Sequence, residues 1–138
     1  MLKNSSWVGV DYGSKLAGTT VICACKNQQL ELWQSEKKQD ADAWIKQKLV
    51  AQNVNHVFLD APLSLPKAYF GDGDDFFYRA CDKELKAMSP MFLGGLTARA
   101  IKLKSSFTST QFIETYPKAL VQQMDELKSH YVKKSKII

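Results

Sequence analysis

The positions of apolar and polar residues along the chain predict five β-strands. Three of them come first, at residues 7–12, 18–26 and 30–34, with only short polar turns between them. Such turns between apolar runs are typical of antiparallel hairpins. The other two strands are predicted at residues 55–60 and 111–115, and helical stretches precede both. A helix between strands favours a parallel crossover connection.

The first predicted helix begins after Asp40, a residue type that often caps a helix N-terminus. Ala43, Trp44, Leu49 and Val50 are expected to share the buried face of this helix.

A long connection, residues 61–78, follows the fourth strand. Its prolines exclude regular structure, and loops of this length in compact domains are more often functional than idle. A helix from about Arg79 to Met88 comes next and is expected to bury Cys81, Leu85 and Met88. Another helix is predicted from about Leu93 to residue 104, and the last one ends at about Tyr131.

The predicted element order is β-β-β-α-β-α-α-β-α, which is typical of the mixed α/β class. Strands 1, 4 and 5 are expected to be parallel and strands 1 to 3 to form an antiparallel part. At 138 residues the chain has the length of one domain, covering residues 1–138.

Composition adds the expectation of a cytoplasmic protein. Apolar residues make up 45% and charged residues 24%, as in ordinary globular proteins. No apolar stretch approaches the roughly 20 residues that cross a bilayer, so no membrane partner is expected. Residues 1–6 are mostly polar, unlike a signal peptide. The three cysteines, Cys23, Cys25 and Cys81, lack the spacing of metal or redox motifs and are expected to be buried, reduced thiols.

The net charge is +5, with a sequence pI near 9.1. The positive surplus is spread along the chain except in the basic tail, which comprises Lys128, Lys133, Lys134 and Lys136. This balance permits a polyanionic partner without requiring one.

Three acidic residues follow or close predicted strands: Asp11, Asp60 and Glu114. Parallel strands 1, 4 and 5 place their carboxyl ends on one edge, where α/β folds bind ligands. Carboxylates that close together repel one another unless a proton or a cation intervenes. Oxygen ligands in an open site favour Mg²⁺ or Mn²⁺, and the two histidines offer no zinc spacing. One or two such ions could support phosphodiester hydrolysis. Each residue could instead be a turn residue or helix cap.

Four further residues are candidates for the same site. Asp82 could supply another metal ligand, or could pair with Arg79 or Lys86 on an exposed helix face. Lys15, Arg79 and Arg99 could bind substrate phosphates, the arginines in bidentate fashion. Surface ion pairs explain the arginines equally well.

The segment Val8-Gly9-Val10-Asp11-Tyr12-Gly13-Ser14-Lys15 through Gly18 resembles the first-strand motif of Holliday-junction resolvase-type members of the ribonuclease H-like superfamily. Other segments are similar to one branch of predicted nucleases, domain of unknown function 429. They are residues 59–66 (Leu-Asp-Ala-Pro-Leu-Ser-Leu-Pro), 79–85 (Arg-Ala-Cys-Asp-Lys-Glu-Leu) and 114–117 (Glu-Thr-Tyr-Pro).

This resemblance implies a single ribonuclease H-like domain with strand order 3-2-1-4-5, strand 2 antiparallel, and helices flanking the sheet. It also implies metal ligands at Asp11, Asp60 and Glu114, with Asp82 as an optional fourth. The chain departs from the pattern in being short. Its last helix offers only Asp125 and Glu126 where such nucleases usually place a final acidic ligand.

The sequence therefore favours a divalent-metal-dependent nuclease that hydrolyses RNA or structured DNA. The alternative is a non-catalytic module that binds nucleic acid or protein with the same fold. A third class, actin-like ATPases, places its nucleotide between two such domains, and only one fits in this chain.

Overall fold

The computed structural model describes residues 6–128, with the side chains of residues 127 and 128 excepted. The predicted end of the last helix at Tyr131 and the lysine side chains of the basic tail lie outside the described residues. The elements are β1 (Trp7–Asp11), β2 (Val21–Lys26), β3 (Gln29–Gln34), α1 (Ala41–Gln52), β4 (His56–Leu59), a 3₁₀ helix (Lys67–Phe70), α2 (Ala80–Leu85), α3 (Pro90–Leu93), α4 (Gly95–Ser105), β5 (Gln111–Glu114), α5 (Pro117–Gln123) and α6 (Asp125–Lys128).

The strands form one five-stranded mixed sheet with the order β3-β2-β1-β4-β5. β2 is antiparallel to both β1 and β3, whereas β4 is parallel to both β1 and β5. Helices flank this sheet. The predicted mixed α/β class, the antiparallel part and the parallel strands 1, 4 and 5 are therefore confirmed. The carboxyl ends of those parallel strands meet at one edge of the sheet.

One face of the sheet forms the core with α1 and α4. Val8 pairs with Val57, and Val57 pairs with Phe112, so these side chains lie side by side. All three are buried, as are Ile45 of α1 and Leu103 of α4. Burying side chains of this size stabilises the fold by about 1.5–3 kcal/mol each. This packing fixes the strand ends that carry the acidic residues.

The opposite face of the sheet is more open. Trp7 and Phe58 make an edge-to-face ring contact there with centroids 6.4 Å apart. Both rings remain partly accessible, and Leu30 and Leu32 of β3 are exposed. Within residues 6–128 this face is therefore covered less completely than the core face.

The cap of α1 is confirmed, but its predicted buried face is partly wrong. The Asp40 side chain accepts hydrogen bonds from the backbone N–H groups of Asp42 and Ala43. Ala43 and Val50 are exposed. A helix turns by about 100° per residue, so the stripe that faces the sheet follows spacings of three and four residues. The residues in that stripe are Ala41, Trp44, Ile45 and Leu49.

The apolar face predicted for the helix after the long connection is wrong. α2 ends at Leu85, because Lys86 adopts the left-handed conformation with φ 53°. Cys81, Leu85 and Met88 are exposed, and the buried residue of α2 is Asp82. The expected burial of the cysteines is wrong as well, because Cys25 is also exposed and Cys23 is only partly buried. A buried carboxylate requires a partner, and Arg79 at the start of the helix provides it.

Backbone breaks divide two of the predicted helices. Gly94, with φ 52°, separates α3 from α4, and Met124 separates α5 from α6. Asp125 and Glu126 lie exposed at the start of α6. The connection at residues 61–78, expected to lack regular structure, contains the short 3₁₀ helix Lys67–Phe70. No helix among residues 6–128 is long and apolar enough to cross a membrane.

Candidate functional site

Asp11 and Asp60 lie next to each other at the carboxyl ends of β1 and β4. The preceding residues, Val10 and Leu59, are paired in the sheet. The backbone N–H of Asp60 donates to the carbonyl oxygen of Val10 at 3.1 Å. Neighbouring strands lie about 4.8 Å apart, so two side chains at the same level share one face at short range. Asp11 is exposed and Asp60 is partly buried.

The electrostatics of Asp60 reflect this neighbour. Burial raises the pKa of the Asp60 carboxyl above its ordinary value, and the negative charge of Asp11 raises that pKa further. Both effects disfavour a second negative charge at this position. A bound cation would relieve the same repulsion.

Glu114 is offset from this pair by one residue in the sheet register. It pairs with Leu59, the residue before Asp60. Because side chains alternate between the faces of a strand, this offset directs Glu114 to the face opposite Asp60. There it accepts a hydrogen bond from the backbone N–H of Leu63 at 3.0 Å and two from Arg79, each at 2.7 Å.

Arg79 binds two carboxylates at once. Its Nε and Nη2 atoms donate to Asp82 at 2.9 and 2.8 Å, and its Nη atoms donate to Glu114. Its Nη1 atom also donates to Ser64. The side chains of Arg79 and Asp82 are 10% and 3% exposed. The bonds to Glu114, followed by those to Asp82, raise the pKa of the guanidinium, so Arg79 stays charged.

These ion pairs decide how well the predicted ligands suit a metal. Within residues 6–128, no group of three or more His, Cys, Asp or Glu side chains is arranged to hold a metal ion. Glu114 and Asp82 already share the positive charge of Arg79. Asp11 and Asp60 form no ion pair in the described part of the chain. Mg²⁺ is commonly held by one or two carboxylates together with waters and substrate phosphates, so the Asp11–Asp60 pair suits such an ion and the larger ligand set does not.

A cavity of about 300 Å³ opens beside these residues. Asp60, Arg79, Asp82 and Glu114 line its polar side. Its other walls are mostly apolar and include Leu85, Met88, Leu93, Leu96 and Tyr116.

A second polar cluster holds the residues that follow Asp11. Arg99 donates to both Asp42 oxygens at 2.9 and 3.0 Å and to the carbonyl of Gly13 at 3.1 Å. Its guanidinium lies 4.4 Å from the centre of the Tyr12 ring. The buried Tyr12 hydroxyl donates to Asp42. Burial and then the Asp42 hydrogen bond raise the pKa of Tyr12, which keeps it neutral.

The turn after Asp11 depends on close backbone packing. A Cβ atom on Gly13 would lie 2.2 Å from Oγ1 of Thr19, and Gly18 has φ 70° with backbone of Lys37 within 2.5 Å of its Cβ position. The Gly13 N–H donates to Oγ1 of Thr20 at 3.0 Å. Together with the Arg99 contact to Gly13, this packing holds the backbone that follows Asp11.

The structure thus divides the predicted site residues into three groups. Asp11 and Asp60 lie together, Arg79 links Asp82 to Glu114, and Lys15 and Arg99 line a neighbouring cavity beside Tyr12. Lys15 is exposed, with Nζ 3.5 Å from Oδ2 of Asp40.

The sequence interpretation overlooked Asp42 and Tyr12. No sequence signal links residue 42 to residue 99, because 57 positions separate them.

Comparison of the chain with protein-family models and with curated proteins finds no match.

Proposed function

We infer that the protein is a divalent-metal-dependent nuclease with a ribonuclease H-like domain, which hydrolyses phosphodiester bonds of RNA or structured DNA. The observation that carries the proposal is the Asp11–Asp60 pair at the ends of adjacent parallel strands. The sheet order β3-β2-β1-β4-β5 and the adjoining cavity support it.

Asp11 and Asp60 are the residues that would hold Mg²⁺ or Mn²⁺. The ion would supply Lewis-acid stabilisation of the charge that develops on the phosphate. Burial and the charge of Asp11 raise the pKa of Asp60 and disfavour its ionised form, and a bound cation would offset both effects. Arg99 binds Asp42 and the carbonyl oxygen of Gly13, and these contacts hold the backbone directly after Asp11, the last residue of β1.

Arg79 has a different task at the same edge. By pairing with Glu114 and Asp82, it removes part of the negative charge that would repel a phosphate. The Arg79 side chain donates five hydrogen bonds within the protein: two to Asp82, two to Glu114 and one to Ser64. Its donors are therefore occupied, and it positions these carboxylates rather than the substrate.

Cleavage of labelled RNA and branched DNA in Mn²⁺ tests this function. Asp11→Asn should reduce cleavage to background without changing the circular dichroism spectrum, since only a charge is removed. Asp72→Asn, in an exposed loop, is the matched control and should cleave normally. Unchanged cleavage by the Asp11 variant would rule out the mechanism.

One observation favours a second candidate, a non-catalytic module that binds nucleic acid or protein. Arg79 engages Glu114 and Asp82, which leaves two of the four predicted ligands for a metal. This candidate predicts binding that weakens with salt and no turnover in Mn²⁺. The cleavage assay therefore distinguishes the two functions.

A further inference from the structure

A groove runs along the carboxyl edge of the sheet, from the acidic residues to the gap between α1 and α4. It consists of three adjoining cavities of about 300, 560 and 170 Å³. The first and second cavities share Tyr12, Leu93 and Leu96. The second and third share Lys15 and Arg99. The shared lining residues place the three cavities next to one another along this edge of the sheet.

The two ends of this groove carry opposite charge. Asp60, Asp82 and Glu114 lie at the first end with a single cation, Arg79. The other end is predominantly basic. Its charged lining residues are Lys15, Asp40, Asp42, Lys46, Arg99 and Lys102.

The charges at the basic end are unequally available. Arg99 is bound to Asp42 on both carboxylate oxygens and to Gly13. Asp40 caps α1 and contacts Lys15 at 3.5 Å. Neither Lys46 nor Lys102 forms an ion pair with another residue in the 6–128 range. Lys46 and Lys102, rather than Arg99, are therefore free to meet an anion, and Lys15 is held only by its 3.5 Å contact with Asp40.

We propose that this groove binds the sugar-phosphate backbone of a nucleic acid strand, with Lys15, Lys46 and Lys102 contacting its phosphates. The three lysines come from a loop and two helices and line one path, which suits a linear polyanion better than an isolated phosphate. At the acidic end the strand would meet Asp60, which lies beside Asp11. The proposal rests on the proposed function for the position of the scissile bond, whereas binding by the lysines requires no cleavage.

Fluorescence anisotropy with a labelled 12-nucleotide single-stranded DNA in EDTA tests the lysines apart from catalysis. The double variant Lys46→Gln/Lys102→Gln should weaken binding and reduce the slope of log affinity against log salt by about 1.4, because each lost phosphate contact contributes about 0.7 for single strands.

Lys48→Gln/Lys104→Gln is the matched control. Each of these lysines lies two residues further along the same helix, about 200° around its axis, so the control removes equal charge from another face. It should keep the wild-type salt slope.

The proposal would be overturned by no binding of the oligonucleotide to the wild-type protein, by an unchanged slope in the Lys46/Lys102 variant, or by equal losses in both variants. Polyglutamate that competes as well as the oligonucleotide would overturn it in favour of an acidic protein partner. Absence of cleavage in Mn²⁺ with normal, lysine-dependent binding would reject the nuclease and retain the groove.

Discussion

Asp60 lies beside Asp11 across two adjacent parallel strands, and the charge of Asp11 contributes to the raised pKa of Asp60. Asp11→Asn should therefore lower the pKa of Asp60 toward its ordinary value, although burial will keep part of the elevation. Carbon-13 NMR titration of the Asp60 carboxyl measures this directly. Asp72→Asn should leave the titration unchanged, and an Asp60 pKa insensitive to Asp11 would contradict the adjacency.

The same raised pKa predicts how stability depends on pH. Because folded Asp60 binds its proton more tightly than unfolded Asp60, its contribution to the free energy of unfolding falls as pH rises from the ordinary to the raised pKa. Asp60→Asn should remove this loss and gain stability relative to wild type at neutral pH. Urea denaturation at acidic and neutral pH provides the comparison. A variant equally destabilised at both values would show that the carboxylate is not penalised in the folded state.

Arg79 should be a major determinant of stability. Arg79→Met leaves the carboxylate of Asp82 buried without its partner, at a cost of about 3–5 kcal/mol. Lys83→Met, on the same helix, breaks the exposed ion pair with Asp75 and should have little effect. Urea denaturation of both variants separates these cases. Similar small losses in the two would show that the Arg79 pairs behave like surface ion pairs.

The turn after Asp11 should tolerate no side chain at Gly18. Gly18→Ala combines a positive φ of 70° with a Cβ position 2.5 Å from backbone nitrogen of Lys37, so marked destabilisation is expected. Gly9→Ala, in β1, places its Cβ where nothing lies within 4 Å. Thermal melts should show a much larger loss for the Gly18 variant, and equal melting temperatures would contradict the tight turn.

Much of the sheet could be predicted from the sequence because alternation and turn length are local properties. Val8 and Val10 mark the buried face of β1, and both antiparallel pairs were predicted. The link between β1 and β2 is longer than predicted, because β2 begins at Val21 rather than at residue 18. The proximity of Asp11 and Asp60 could also be predicted, because each residue ends a predicted parallel strand.

The remaining features of the site depend on contacts between distant parts of the chain. The offset of Glu114 is set by pairing with β4, 55 positions earlier at Leu59, and a one-residue change of register reverses the face of a side chain. Asp82 is buried because it pairs with Arg79. Spacing alone could not select this partner, since Lys86, four residues after Asp82, can reach it on a helix as Arg79 can, three residues before it. Helical periodicity alone therefore predicted the wrong face of α2.

Crystals soaked in MnCl₂ and measured at the manganese absorption edge provide the most direct test of the proposed metal site. We predict an anomalous peak in contact with the carboxylates of Asp11 and Asp60, and no such peak in crystals of Asp11→Asn. A peak that persists in that variant, or no peak at this edge of the sheet in the wild-type protein, would contradict the account.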